Sequence, residues 1–353
     1  ADMPAYTLEP PPPHVEADWA ATLAFLMSKR LRRPPRALAG LLMKAITEQA
    51  GAAGIRVLER VEVAGGGFLN LVVNPDRLRQ ELAAILERRD DYGVSTSGAG
   101  EPVVVELVSA NPTGPLHVGH GRGAALADGL ARLLRAAGYA VTTEYYVNDQ
   151  GRQIDLLGRS LEARWRQARG ESGVIPEDGY QGGYLADIAV VLADAPVAVP
   201  EAERAAWFRR EAVERMLALI REDLQRFGVA VDRWTFESAL YREGVVDEAL
   251  KALRAAGALE DKEGAVWFRS KSFGDDKDRV VVREDGRPTY LAADIAYHRR
   301  KLAGGRRAVD VWGADHHGYI PRLSGALKAL GENPDHLQIV LYQLVSLSRG
   351  GAP

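Results

Sequence analysis

Between residues 103 and 168 the sequence runs strand, Pro/Gly-rich loop, helix, strand, helix, and this succession constrains the fold more than any other feature. VVVELVSA over 103–110 reads as a buried strand, and a helix is expected from about His120 to Ala137, stopped by Gly138. YAVTTEYYV over 139–147 is a second strand, and QIDLLGRSLEARWRQA over 153–168 a second helix. Strands alternating with helices long enough to cross over predict an α/β fold, a Rossmann-like parallel sheet covered by helices. Residues 171–235 break the rhythm with YQGGY, the proline-punctuated APVAVP and a long charged helix over 202–227. They are expected as a helical insertion between two halves of the sheet. Sheet signals resume with AVWFRS, VVVRE and its Asp285-Gly286 turn, AVDVWG and LQIVLYQLVSL.

The residues before this core follow another plan. After the prolines at 10–13, Asp18 is expected to cap a helix over WAATLAFLMSKRLRR. Pro34-Pro35 then separates it from a second helix, RALAGLLMKAITEQA. Two strands, IRVLERVEVA and FLNLVVN, joined by Gly65-Gly66-Gly67, precede a helix over 76–89. This small α+β unit is expected to occupy 1–98, with STSGAG as linker, leaving 99–353 for the core. A chain of 353 residues is long enough for both.

Composition excludes several chemistries. With no cysteine, disulfides, thiolate metal sites and cysteine nucleophiles are absent. A net charge of −3 leaves any nucleic-acid surface to a local basic patch. The N-terminus has no signal-like pattern and no apolar run reaches about 18 residues, so a cytoplasmic protein without membrane spans is expected. The opening ADMPAY, without an initiator methionine, and the stop after SRGGAP lead to the expectation that the natural chain is longer at both ends.

The chemistry concentrates where the loop ANPTGPL enters a helix beginning at His117 and His120. Ligands of open α/β sheets sit beyond the carboxyl ends of the strands, and a helix N-terminus offers free N–H groups to phosphate oxygens. His117 and His120 can add donors there, while Gly119 and Gly121 place no side chain in the way. Such donors stabilise the charge that builds when a carboxylate attacks the α-phosphorus of a nucleotide.

VSANPTGPLHVGHGR over 108–122 and YYVNDQGRQ over 145–153 resemble the HIGH region of arginyl-tRNA synthetases, a class I aminoacyl-tRNA synthetase family. YLAADIAYHRRK over 290–301, WGADHHGY over 312–319, the terminal LVSLSRGG, and WAATLAF with GGGFLNLVV in the N-terminal unit extend the resemblance over nearly the whole chain. It implies that ATP, with Mg2+, activates L-arginine as arginyl-adenylate, which is then transferred to tRNA(Arg). His117 and His120 are the implied catalytic residues, and His117, Gly119, His120, His317 and Gly318 the implied ATP-binding set. For arginine the resemblance implies Glu106, Ser109, Ala110, Asn111, His120, Tyr290, Asp294 and His316.

Physics supports part of this set. A guanidinium is a planar, permanently charged fork that suits carboxylates beside an aromatic ring, and Tyr290 and Asp294, four apart, share a helix face. Glu106, inside an apolar strand, needs a partner, and an incoming cation is a natural one. No metal site is expected: adjacent His316 and His317 on a turn rarely converge on one ion. Trp312 is expected in the core.

The resemblance also assigns the N-terminal unit to the tRNA elbow, with Lys29, Arg30, Arg32, Arg33 and Arg36 as its basic surface. The family's second signature, KMSKS, does not occur, nor does its helical anticodon-binding domain. These residues alone are therefore expected to be inactive or weakly active, and a monomer. Two rivals remain: another HxGH adenylyltransferase with a small-molecule acceptor, and a non-catalytic paralogue serving as a binding module.

Overall fold

A computed structural model describes residues 4–192, 199–343, 345 and 348. The chain divides into two compact units, Ala1–Gly93 and Val94–Pro353.

In the first unit, strands β1 (Leu8–Glu9), β2 (Trp19–Ala21), β3 (Leu58–Ala64) and β4 (Phe68–Val73) form an antiparallel sheet in the order β1-β2-β4-β3. Helices α1 (Leu23–Leu31) and α2 (Pro35–Ala52) pack on it through Ala21, Ala24, Leu38, Ala39 and Leu69. The turn joining β3 to β4 requires glycine: at Gly67, with φ +141, a Cβ would lie 2.8 Å from the backbone of Pro35. Helix α3 (Pro75–Arg88) starts where Asn74 accepts a hydrogen bond from Asp76 N at 2.9 Å. Asp18 does not cap a helix. Its carboxylate accepts from Val73 N at 2.7 Å and its own N–H donates to Leu71 O, so it fastens β2 beside β4, and the helix starts four residues later than expected.

In the second unit, β5 (Pro102–Glu106), α4 (Val118–Ala136), β6 (Ala140–Val147), helices α5 (Arg152–Ala168), α6 (Gly183–Val191) and α7 (Glu201–Arg226), and β7 (Arg233–Phe236) follow in order. Helices α8 (Glu237–Arg242) and α9 (Val245–Ala255) lead to an antiparallel sheet of β8 (Leu259–Lys262), β9 (Ala265–Phe268) and β10 (Arg279–Val282). Helix α10 (Tyr290–Leu302), β11 (Arg307–Gly313), α11 (Ile320–Ala329) and β12 (Leu337–Tyr342) complete it. The principal sheet is parallel throughout, ordered β12-β11-β5-β6-β7. Strands after β5 are added on one side, then β11 returns to its other edge, so the topological switch point lies between β5 and β11, where a ligand crevice is expected.

AVWFRS and VVVRE, read as sheet signals, supply β9 and β10 of the separate antiparallel sheet, not strands of the parallel one. The segment 171–235 supplies α6 and α7, and its last three residues are already β7. The stretch APVAVP and the end of LQIVLYQLVSL lie largely outside the described residues.

Side-chain alternation sorts the sheet faces. Val103, Val105, Leu107, Tyr145 and Val147 pack with Ala124 and Ala127 of α4 and Val213, Leu217, Ile220 and Leu224 of α7. Tyr146 packs with Leu291 and Ile295 of α10 on the opposite face. Glu106, Glu144 and Asp310 alternate with residues of the first face and so point to the α10 side. Helices α5, α6 and α7 share a further cluster containing Leu157, Leu161, Trp165, Leu185, Phe208 and Met216. No described helix is long and apolar enough to cross a membrane.

Candidate active site

A cavity of about 620 Å³ opens at the switch point. Strand β5 was expected to continue to Ala110, but it ends at Glu106 because Val108 and Ser109 take φ of +63 and +44. These values are costly for non-glycine residues, a β-branched one above all, and they turn the chain across the strand ends. Side chains hold the turn. Ser109 Oγ accepts from Tyr146 N at 3.0 Å, Tyr145 Oη donates to Ala110 O at 2.9 Å, and Asn111 Nδ2 donates to Gln153 Oε1 at 3.0 Å.

The loop delivers His117 to the N-cap of α4. His117 Nδ1 accepts from Gly119 N at 3.1 Å, and His120 Nδ1 accepts from His117 N at 3.2 Å; the rings stack with centroids 3.7 Å apart. An imidazole nitrogen that accepts is unprotonated, so in the neutral form each ring carries its hydrogen on Nε2. Burial, and secondarily His117, hold the His120 pKa below the ordinary imidazole value. A Cβ at Gly119 would stand 3.0 Å from His117 Cε1, so this glycine also makes room for the capping ring.

The opposite wall is acidic. Tyr290 and Asp294 lie one turn apart on α10, Tyr290 half exposed and poised over Gly151, where a Cβ would collide with its hydroxyl. Tyr319 Oη donates to the Asp294 carboxylate, yet burial outweighs this bond and pushes the carboxyl above its usual range. Glu237, just beyond β7, accepts from Tyr146 Oη at 3.1 Å; burial, with Asp294 and Asp149 nearby, pushes its pKa up to about 7. Clustered acids with raised pKa values favour an incoming cation, which would restore their charged forms.

Glu106, Ser109, Ala110, Asn111, His117, Gly119, His120, Tyr290, Asp294 and His316 all line this cavity. His317 and Gly318 are exposed and are not among its lining residues. Trp312, expected in the core, is half-buried and lines the cavity 5.9 Å from the His316 ring. Glu106 already has a cationic partner: Lys301 Nζ donates to it and to Asp310 Oδ1, the latter at 2.7 Å. Glu106, His298 and Asp310 have the spacing of metal ligands, but the Lys301 ammonium lies against both carboxylates, so a cation does not suit the cluster.

Sequence reasoning missed Glu237. Glu237 directly follows the short strand RWTF and Glu106 is the last residue of VVVE, so both acids stand at a strand's carboxyl end, and that parallel was the available signal. In the first unit, Lys29, Arg30, Arg32, Arg33 and Arg36 are all exposed around the turn between α1 and α2. Arg32 caps α1 in the left-handed conformation, and Arg36 Nη1 donates to Gly65 O at 3.0 Å.

Residues 81–177 match the family model of the class I tRNA synthetase (R) catalytic domain, and residues 1–73 that of the arginyl tRNA synthetase N-terminal domain. The arginine–tRNA ligases of Geobacillus thermodenitrificans and Moorella thermoacetica are 45% and 47% identical to this chain over 99% of its length. The chain spans 63% and 62% of their lengths. A solved structure from Campylobacter jejuni, described as an arginyl tRNA synthetase, superposes with a TM-score of 0.73 at 39% identity, over 80% of this chain and 63% of that one. The Thermus thermophilus arginyl-tRNA synthetase superposes with a TM-score of 0.65 at 23% identity, over 96% of this chain and 62% of that one, a likeness of fold.

Proposed function

Because this chain belongs to the arginyl-tRNA synthetase family, we propose that its cavity binds ATP and L-arginine, forms arginyl-adenylate, and passes the arginyl group to tRNA(Arg). The observation that carries this reading is the polarity of one cavity: imidazole donors at a helix N-terminus on one wall, buried acids on the other. The first wall suits a triphosphate and the second a guanidinium.

The arginine carboxylate attacks the α-phosphorus; its oxygen gains the P–O bond while the bond to pyrophosphate breaks. The Nε2–H groups of His117 and His120 donate to phosphate oxygens as negative charge builds there, and the α4 N-terminus adds its dipole. Asp294 and Glu237 hold the guanidinium, and Tyr290 stands beside it. Placement and charge stabilisation suffice without a covalent enzyme intermediate. Mg2+ bound with ATP would neutralise phosphate charge. The basic turn between α1 and α2 positions tRNA through its phosphates. Action as a monomer in the cytoplasm belongs to the same proposal.

Calorimetric titration at neutral pH tests the site. L-arginine is expected to bind at least about tenfold more tightly than L-citrulline, its neutral isostere, because hydrogen bonds from a charged group to buried acids are the stronger kind. Equal affinities, or no arginine binding, overturn the assignment.

A further inference from the structure

Lys301, in the last turn of α10, has a fully buried side chain that the chemistry above does not use. Its ammonium touches three elements. It donates to Asp310 Oδ1 on β11 at 2.7 Å and to Glu106 Oε2 on β5, and it lies 4.3 Å from the centroid of the Tyr297 ring on α10. Glu106 and Asp310 are register partners, so their carboxylates stand side by side on the face that α10 covers. Burial opposes the Lys301 charge, and the two carboxylates overcome it and raise its pKa. The second oxygen of Asp310 is held by His298 Nε2 at 2.8 Å, while His298 Nδ1 donates to Asp294 O at 2.7 Å. One network therefore ties the strand-end acid Glu106 to the backbone of Asp294.

We propose that Lys301 is a positioning residue of the amino-acid subsite: it fixes the Glu106 carboxylate by one oxygen, Oε2, and so leaves Oε1 aimed as an acceptor for the substrate guanidinium. This rests on the reading of the cavity as an arginine site. With its charge balanced internally, Glu106 supplies direction, and the unbalanced attraction for a cation comes from Asp294 and Glu237. A carboxylate held from one side accepts along a fixed line, which distinguishes the planar fork of arginine from a rotating ammonium.

The test is a double-mutant cycle in this chain. Lys301→Met alone strands two buried acids and endangers folding, so the cycle uses the charge-balanced pair Lys301→Met/Asp310→Asn, with cooperative thermal unfolding as its fold control. In the unaltered background, Glu106→Gln is expected to weaken L-arginine binding by about tenfold or more; in the paired background the same change is expected to cost less than about threefold. Equal losses in both backgrounds mean that Lys301 merely supports the fold and overturn the proposal. A crystal structure of the paired variant provides a reading without ligand. The Glu106 carboxylate is expected to leave its place beside residue 301, and an unchanged carboxylate overturns the positioning role even if no arginine binds. Absence of arginine binding to the unaltered chain refutes the arginine site itself and leaves the structural comparison to decide on Lys301.

Discussion

His117 and His120 cap the same helix in opposite directions: the first accepts from the N–H of Gly119, the second from the N–H of His117 itself, with their rings stacked 3.7 Å apart. The capping bonds use Nδ1 of each ring and the proposed phosphate contacts use Nε2, so the two roles can be separated.

Asparagine is a good N-cap but has no outward ring N–H. His117→Asn is expected to leave thermal stability nearly unchanged while weakening ATP binding about tenfold, whereas His117→Ala loses the cap as well, at about 1 kcal/mol. Denaturation with parallel nucleotide titration checks this. Full ATP affinity in the asparagine variant would remove His117 from the phosphate site.

Glu237 gives the ligand-free chain a distinctive pH dependence. Its folded pKa of about 7 stands above the ordinary 4.5, so folding binds the proton. The associated stability is present below pH 4.5 and is lost as pH rises through about 7, in total roughly 3 kcal/mol. Glu237→Gln should flatten that part of the profile in urea unfolding between pH 4.5 and 8. A variant with the same slope as the parent would place the titration elsewhere.

Tyr319 supplies the hydroxyl that helps Asp294 ionise. Without it the carboxyl rises further, and a guanidinium site needs that acid ionised. Tyr319→Phe is therefore expected to bind arginine about tenfold more weakly at pH 7 and to recover part of the loss as pH rises. Calorimetry across pH 6–9 reads both effects, and a loss independent of pH would count against this role for the hydroxyl.

The basic turn of the first unit predicts a salt effect. Lys29→Glu with Arg32→Glu should weaken tRNA binding and lower the slope of log affinity against log salt by about 1 per lost phosphate contact, with arginine affinity unchanged. An unaltered slope would make the turn an ordinary solvated surface.

Some elements of the second unit, β6 and α5 among them, were legible because apolar runs and glycine stops agree with the local backbone, whereas α8 and α9 were not read from the sequence. So was the placement of His117 and His120 at a helix start, since loop, glycine and helix are continuous in sequence. Tertiary pairings were not. Glu106 and Lys301 meet across 195 residues, and no local pattern announces that a buried acid already has a partner. The end of β5 was misjudged for the opposite reason: VVVELVSA has strand composition throughout, and the left-handed turn at Val108 and Ser109 is imposed by bonds to β6. Asp18 resembled a cap because caps and strand anchors use the same short acid.

That left-handed turn has a kinetic corollary. A segment locked into an unfavourable backbone shape by Tyr145 and Tyr146 has its exit direction set before any ligand arrives. Capture of a small amino acid is then expected to need no rearrangement of this segment, and Val108→Gly, which takes a positive φ without steric cost while Ser109 and Ala110 keep their bonds to β6, is expected to leave the capture rate unchanged in stopped-flow binding.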